Sequence, residues 1–294
     1  MRATAWFVAA IAGTLVLAAL FAFPIWQFVH AIQPDWPFHR VLSRSWQLLL
    51  LIGLVLAVRR LGLRSREDWG YGLPRSQFLR HVLAGLAIGI ATMLPMSFAM
   101  GALGIHSLRP GFDIAMLLAA IGTGALTGLA VALVEETFFR GLMFRAVFRE
   151  SGLAMAAWST ALLYSAIHFL ARVRVPQDDI GWDSGIALLG AAFSRFADPA
   201  SIVDSFITLL LVGLLLALVR HRTGSIAAGI GLHMGWVCVI KASTRVTTED
   251  AGGSWSFLVG SFDGYTGWLV AAWAGILISV AWACGWLRPR RAAA

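Results

Sequence analysis

Long apolar runs alternate along this chain with short polar segments rich in arginine. Eight runs are candidates for helices that cross a membrane, at about 4–23, 43–58, 80–103, 113–138, 152–171, 203–220, 224–241 and 266–286. A crossing helix needs about 20 mainly apolar residues. The second run is the weakest, since its apolar stretch is 46–58 alone and it spans only if Arg44 snorkels at the far end. The first run has one arginine and an apolar core, as a secretory signal does. Its length, and Pro24 in place of a small-residue cleavage site, favour a retained helix. The predicted fold is all-α: a polytopic membrane protein of about eight transmembrane helices, one membrane domain over 1–294, with no internal repeat. Two segments are more than connectors. Within 172–202 the apolar run 185–193 is too short to cross and predicts an interfacial or re-entrant helix. The Ser/Thr/Gly-rich stretch 242–265 predicts a mobile loop.

Composition supports the membrane class. Charged residues make up 13% of the chain, against about 25% in an average soluble domain. The net charge of +8 does not read as nucleic-acid binding. The arginines flank apolar runs, where topology and anionic head groups account for them. With eight spans, the face holding both termini carries 15 Lys and Arg and the other face 8. Both termini are therefore expected on the cytoplasmic side, with Arg59, Arg60, Arg64, Arg66 and Arg75 supplying most of the bias. Lys241 is the sole lysine and there is no asparagine, so no N-glycosylation sequon exists. An Arg-rich chain poor in Lys and Asn suggests a GC-rich coding sequence, hence a bacterial inner membrane. Cys238 and Cys284 lie in apolar segments and make no disulfide framework.

Ionisable groups inside apolar runs change the picture most. Glu135 and Glu136 end the fourth run, and Arg140 follows. A carboxylate at such depth costs roughly 2.5–3.5 kcal/mol even on the lenient insertion scale, which makes it a functional candidate. Glu136 and Arg140 are i,i+4 and share a helix face. Glu135 is rotated about 100° away, so it faces a different neighbour. The helix is expected to continue past Phe139, because apolar residues 142–148 alternate with Arg145 and Arg149. His168 and His233 lie in two further runs at a comparable depth, with Tyr164 one turn before His168. Taken singly, a Glu–Arg pair at a helix end is often an interfacial ion pair, and a lone intramembrane histidine a satisfied hydrogen bond. The conjunction on three helices favours chemistry. His30, His39, His81, His106 and His221 fall at run ends or loops and read as interfacial. Gly122, Gly124 and Gly128 read as close helix packing.

These residues resemble a known family. Glu135-Glu136-Thr-Phe-Phe-Arg140 is similar to the Glu-Glu-x-x-x-Arg motif of the CPBP family, the CAAX prenyl endopeptidases and bacteriocin-processing or immunity (Abi) proteins. Tyr164-Ser-Ala-Ile-His168 resembles its Phe-x-x-x-His motif, with Tyr for Phe, and His233-Met-Gly-Trp-Val237 its His-x-x-x-Asn/Asp motif. The resemblance covers about 78–241, leaving 1–77 and 242–294 as peripheral helices and loops. It implies an intramembrane glutamate protease with a cavity open to the cytoplasm. Glu135 would be the general base, His168 would polarise the water, His233 would stabilise the oxyanion, and Glu136 with Arg140 would hold the geometry. The departure is Val237, which offers no hydrogen bond to an oxyanion; one such donor is typically worth about 10²–10³ in rate. The indole of Trp236 or a backbone N–H would have to replace it.

The implied substrate is a membrane-associated peptide or protein, and no cofactor is expected. A zinc alternative would use Glu135, His168 and His233, although the His-Glu-x-x-His signature is absent. Two further alternatives are a non-catalytic peptide-binding or immunity protein, and a proton-coupled transporter. The transporter would call for paired broken helices in matching halves, which the sequence does not show.

Overall fold

The computed structural model describes residues 2–170, 175–176, 179–250 and 252–286. Arg172, Arg174, Arg288, Arg290 and Arg291, which enter the charge bias, lie outside the described residues. The described chain is mostly helical: α1 (Arg2–Ile32), α2 (Phe38–Arg60), α3 (Arg75–Ala102), α4 (Ile114–Glu135), a π-helical stretch (Glu136–Met143), α5 (Phe144–His168), α6 (Ser184–Ala192), α7 (Val203–Thr223), α8 (Ala227–Val246) and α9 (Trp268–Ala283). Four helical stretches are long and apolar enough to cross a membrane: α1, α3, Ile114–His168 taken as one stretch of 55 residues, and α7. They mark a multi-pass membrane protein. Gly152, with φ 79°, breaks the long stretch; glycine takes that conformation without steric cost. The break falls where the sequence predicts the fourth and fifth runs to part. α9 is apolar but only 16 residues long. α2 carries arginine at both ends and α8 carries His233, Lys241 and Arg245, and neither is among the four. α1 runs through Pro24 to Ile32, beyond its predicted end.

Contacts group the chain into two compact units. The first comprises Met1–Arg64 and Ala166–Ala200. In it α1 packs on α2 and on α6, around the buried Ala22, Phe38 and Leu188. The short apolar run 185–193 is the helix α6.

The second unit comprises Ser65–Ser165 and Ser201–Ala294. Its hub is α8, which packs along both α3 and α4. Gly231 of α8 abuts the Val82 carbonyl and the Leu86 nitrogen of α3, so closely that no side chain fits. On the other side Gly124 and Gly128 of α4 meet the backbone of Cys238 and Met234, while Gly122 has no neighbour in reach. Small residues at such interfaces let backbones approach where lipid supplies no hydrophobic drive. The apolar side chains that these helices turn outward, among them Phe98, Leu126 and Val134, suit hydrocarbon.

Within 242–265, expected to be a mobile loop, the described residues include regular elements. α8 continues to Val246, and Thr247–Glu249 forms β2, antiparallel to β1 (His106–Leu108). Tyr265 is fully buried, its hydroxyl 2.7 Å from Ser97 Oγ. The pairing joins residues 141 apart in sequence, as between Ser107 and Thr248, which local composition cannot reveal. His106 is likewise buried in β1, not interfacial, with Nε2 2.9 Å from the Gly264 carbonyl oxygen.

Candidate active site

α4 ends on Glu135, and the chain then widens into the π-helical stretch that carries Glu136 and Arg140. Wider turns of this kind inside α-helices are rare and occur often at functional sites. The two glutamates therefore straddle an α/π junction, where the sequence suggests one uninterrupted α-helix. Arg140 Nη1 lies 3.2 Å from Glu136 Oε1, and both side chains are fully buried. Arg140 also donates through Nη2 to the Gly213 carbonyl of α7, at 3.3 Å.

His233 of α8 joins both carboxylates. Its Nδ1 is 3.1 Å from Glu136 Oε1 and its Nε2 is 3.8 Å from Glu135 Oε2. A carboxylate paired with arginine only accepts hydrogen bonds, so Nδ1 carries the proton in the shorter contact. Nε2 is thereby presented to Glu135. Exposure separates the two acids: the Glu135 side chain is 22% exposed and that of Glu136 0%. Glu135 is the more accessible of the two carboxylates.

Aromatic and small residues shape the rest. The Arg140 guanidinium carbon stands 4.5 Å from the centroid of the Tyr164 ring, within cation–π range. Tyr164 also meets the His233 ring edge-on, at 6.3 Å and 82°. Gly229 of α8 faces Glu136, where a Cβ would lie 2.8 Å from Oε2. Glu136 Oε2 and Arg140 Nε have no hydrogen-bond partner among the described residues.

The structure thus brings together Glu135, Glu136, Arg140 and His233. His168 is the last residue of α5, one turn after Tyr164, and belongs to the first unit. Val237 lies one turn after His233 with its Cβ against Gly128 of α4. The indole N–H of Trp236 already donates to Thr92 Oγ1 at 3.0 Å, so it does not replace the donor that Val237 lacks. Among the described residues, no three His, Cys, Asp or Glu side chains form a metal-holding group.

Sequence reasoning missed the backing of the site. Arg220, counted there as a flanking charge, is buried and donates from Nε to the Arg140 carbonyl at 3.0 Å. Tyr71 reaches Thr137, with 2.6 Å between the hydroxyl oxygens. Asp68 accepts from Arg145 Nε at 3.2 Å and pairs with Arg149 Nη2 at 3.1 Å. Burial pushes the Asp68 carboxyl up, but hydrogen bonds from Ser65 and Arg145 and the charge of Arg149 outweigh it and hold the group below its ordinary value.

Residues 115–239 match the family described as Type II CAAX prenyl endopeptidase Rce1-like, within the CPBP family. The matched segment contains all four clustered residues and also His168. No curated protein and no solved structure matches the chain.

Proposed function

We propose that the chain is an intramembrane endopeptidase that hydrolyses a peptide bond in a membrane-associated peptide or protein, with Glu135 as general base. The observation that carries this reading is His233 held between two unlike carboxylates, one buried and paired with arginine, the other partly exposed. Water beside Glu135 gives up a proton as its oxygen attacks the carbonyl carbon. Glu135 passes that proton to His233 Nε2, whose Nδ1–H stays anchored on Glu136. The imidazolium donates to the oxyanion, then returns the proton to the amine as the C–N bond breaks. Arg140 pairs with Glu136, so the anchor has an opposite charge beside it in a low-dielectric site. His168 is given its part, polarising the water, by the family resemblance alone. No metal enters this scheme. In our reading about eight helices cross a bacterial inner membrane with both termini cytoplasmic.

The test is a cleavage assay of purified protein on a membrane-peptide library, wild type beside Glu135→Gln. Turnover retained in the mutant ends the general-base assignment. Elemental analysis of active protein should find well under one zinc per chain; a bound equivalent whose removal stops turnover would turn the reading to a metallopeptidase. One observation favours a second reading, peptide binding without cleavage: neither Val237 nor Trp236 offers a donor to an oxyanion. Val237→Asn distinguishes the two. A slow peptidase that lacks only this donor should gain about tenfold or more in turnover. Inert wild type and inert Val237→Asn across a broad panel move the balance to binding.

A further inference from the structure

The buried guanidinium of Arg220 sits behind the site and touches none of its reacting groups. It lies in the last turn of α7 with 7% exposure. Its Nε donates to the Arg140 carbonyl at 3.0 Å and its Nη2 to the Glu67 carbonyl at 3.4 Å. The Phe144 N–H that closes the π-helical stretch donates to the carbonyls of Phe139 and Gly141, on either side of Arg140. The carbonyl between them is the one that Arg220 takes. A π-turn is a one-residue widening of the helical ladder, and a side-chain donor at its centre favours that register over the α-helical one.

The second contact ties the stretch to the segment 65–74, which leads into α3. That segment is itself held on several sides. The Gly70 carbonyl accepts from Ser225 Oγ at 2.8 Å and from the Ile226 N–H at 3.1 Å. Tyr71 meets Thr137, inside the π-helical stretch. The Trp69 carbonyl lies against Gly141, where a Cβ would come within 2.6 Å of the oxygen. Asp68 clasps Arg145 and Arg149 at the start of α5. Arg220 bridges the segment's backbone and the backbone of Arg140 with one side chain. A planar fork of five donors suits two carbonyls at once, which a lysine ammonium on a flexible stem does not reproduce.

We propose that Arg220 is a positioning residue of the site: through the Arg140 and Glu67 carbonyls it fixes the π-helical stretch in the register that brings Glu136 and Arg140 to His233. The proposal rests on the peptidase reading for its effect on turnover, but not for its effect on His233.

The test uses the full chain in lipid nanodiscs, as wild type, Arg220→Lys and Arg220→Ala. Three quantities are read: kcat and KM on a peptide that wild type cleaves, the melting temperature, and the imidazole ¹⁵N signals of His233. For Arg220→Lys, kcat should fall about tenfold or more, in keeping with the cost of a small misplacement of reacting groups. KM should stay within about twofold, because the substrate contacts are unchanged. The His233 signals should move, since the Nδ1 contact with Glu136 is what shifts. Added guanidinium should restore part of the turnover of Arg220→Ala. Wild-type kcat with unmoved His233 signals in Arg220→Lys overturns the proposal. So does a loss of turnover matched by the loss of folded protein while the signals stay in place. Should wild type cleave nothing, the peptidase reading falls by itself. The His233 signals then decide the present proposal: moved in Arg220→Lys they support it, unmoved they overturn it.

Discussion

The second unit contains two buried polar knots, and they are built on opposite principles. Around Tyr265 the groups are hydroxyls, backbone, one exposed carboxylate and the His106 ring, and all of the named groups except His106 Nδ1 have a partner among the described residues. Ser205 Oγ donates to the Thr266 carbonyl at 2.6 Å, Thr208 Oγ1 to the Gly267 carbonyl at 2.9 Å, and Asp263 Oδ1 accepts from the Thr266 N–H at 2.7 Å. Around His233 the groups are charged, and Glu136 Oε2 and Arg140 Nε are left without a hydrogen bond among the described residues. An unsatisfied buried polar atom costs about 1–3 kcal/mol, more when charged. A neutral network satisfied at nearly every atom specifies structure at little cost. A knot kept at that cost, at an α/π junction, breaks local rules in the way that functional sites do, which is why the proposed chemistry is placed there.

The sharpest break of this comparison is Glu135→Gln. It removes the partly exposed carboxylate proposed as the base, so kcat should fall by about 10²–10⁴, the usual worth of general acid–base catalysis. The melting temperature should stay near that of wild type. A matching loss of melting temperature would make Glu135 part of the scaffold and erase the contrast with Glu136.

Next come Glu136→Gln and Arg140→Leu. Each strands a fully buried partner, and breaking a buried pair costs about 3–5 kcal/mol. Folded yield and melting temperature should drop for both. Normal expression with turnover alone lost would give these residues a chemical role, contrary to the division of labour drawn here.

The charged knot was legible in the sequence because a charge inside an apolar run stands out in one dimension. Glu135, Glu136, Arg140 and His233 all announce themselves that way. Arg220 did not: it is followed by His221 and Arg222, and a basic cluster at a run's end looks the same whether its first member turns inward or outward. The π-turn left no trace either, since 136–143 holds residues that an α-helix accepts as readily. The neutral knot was misread for a different reason. Ser, Thr and Gly between 242 and 265 suggest a loop, while the partners of Gly264, Tyr265 and Thr266, which are His106, Ser97 and Ser205, are distant in sequence. Val237 was legible as an apolar residue where the resembled motif has Asn or Asp, but the commitment of the Trp236 indole to Thr92 depends on how α8 lies on α3.

Tyr265 sharpens the comparison through alkaline pH. Burial above all, opposed by the Ser97 hydrogen bond and reinforced by Asp263, pushes its phenol up to about 12 from an ordinary 10.0. The folded state thus binds this proton more tightly than the unfolded state. The stabilisation is whole below pH 10.0 and is lost as pH rises through about 12. Two pH units correspond to roughly 2–3 kcal/mol at most. Melting curves between these limits should decline in wild type and decline less in Tyr265→Phe. Equal slopes would show that the phenol is not held apart from water as its burial requires.

Asp68 should give the smallest effect, with the opposite sign. Its carboxyl is held below the ordinary 3.8, so the folded state binds the proton less tightly than the unfolded chain. The stabilisation is whole above pH 3.8 and is lost as pH falls through the lowered value. The Arg145 and Arg149 side chains are 36% and 45% exposed, so water screens the clasp. Exposed ion pairs contribute about 0–1 kcal/mol, and Asp68→Asn should cost no more than that at neutral pH. The mutant should also lose part of the acid-side decline in melting temperature. If Asp68→Asn instead lowers turnover at neutral pH with stability nearly intact, the segment 65–74 acts on the chemistry through its clasp as well as through Arg220. The boundary between the charged knot and its backing would then lie further out, at the start of α5.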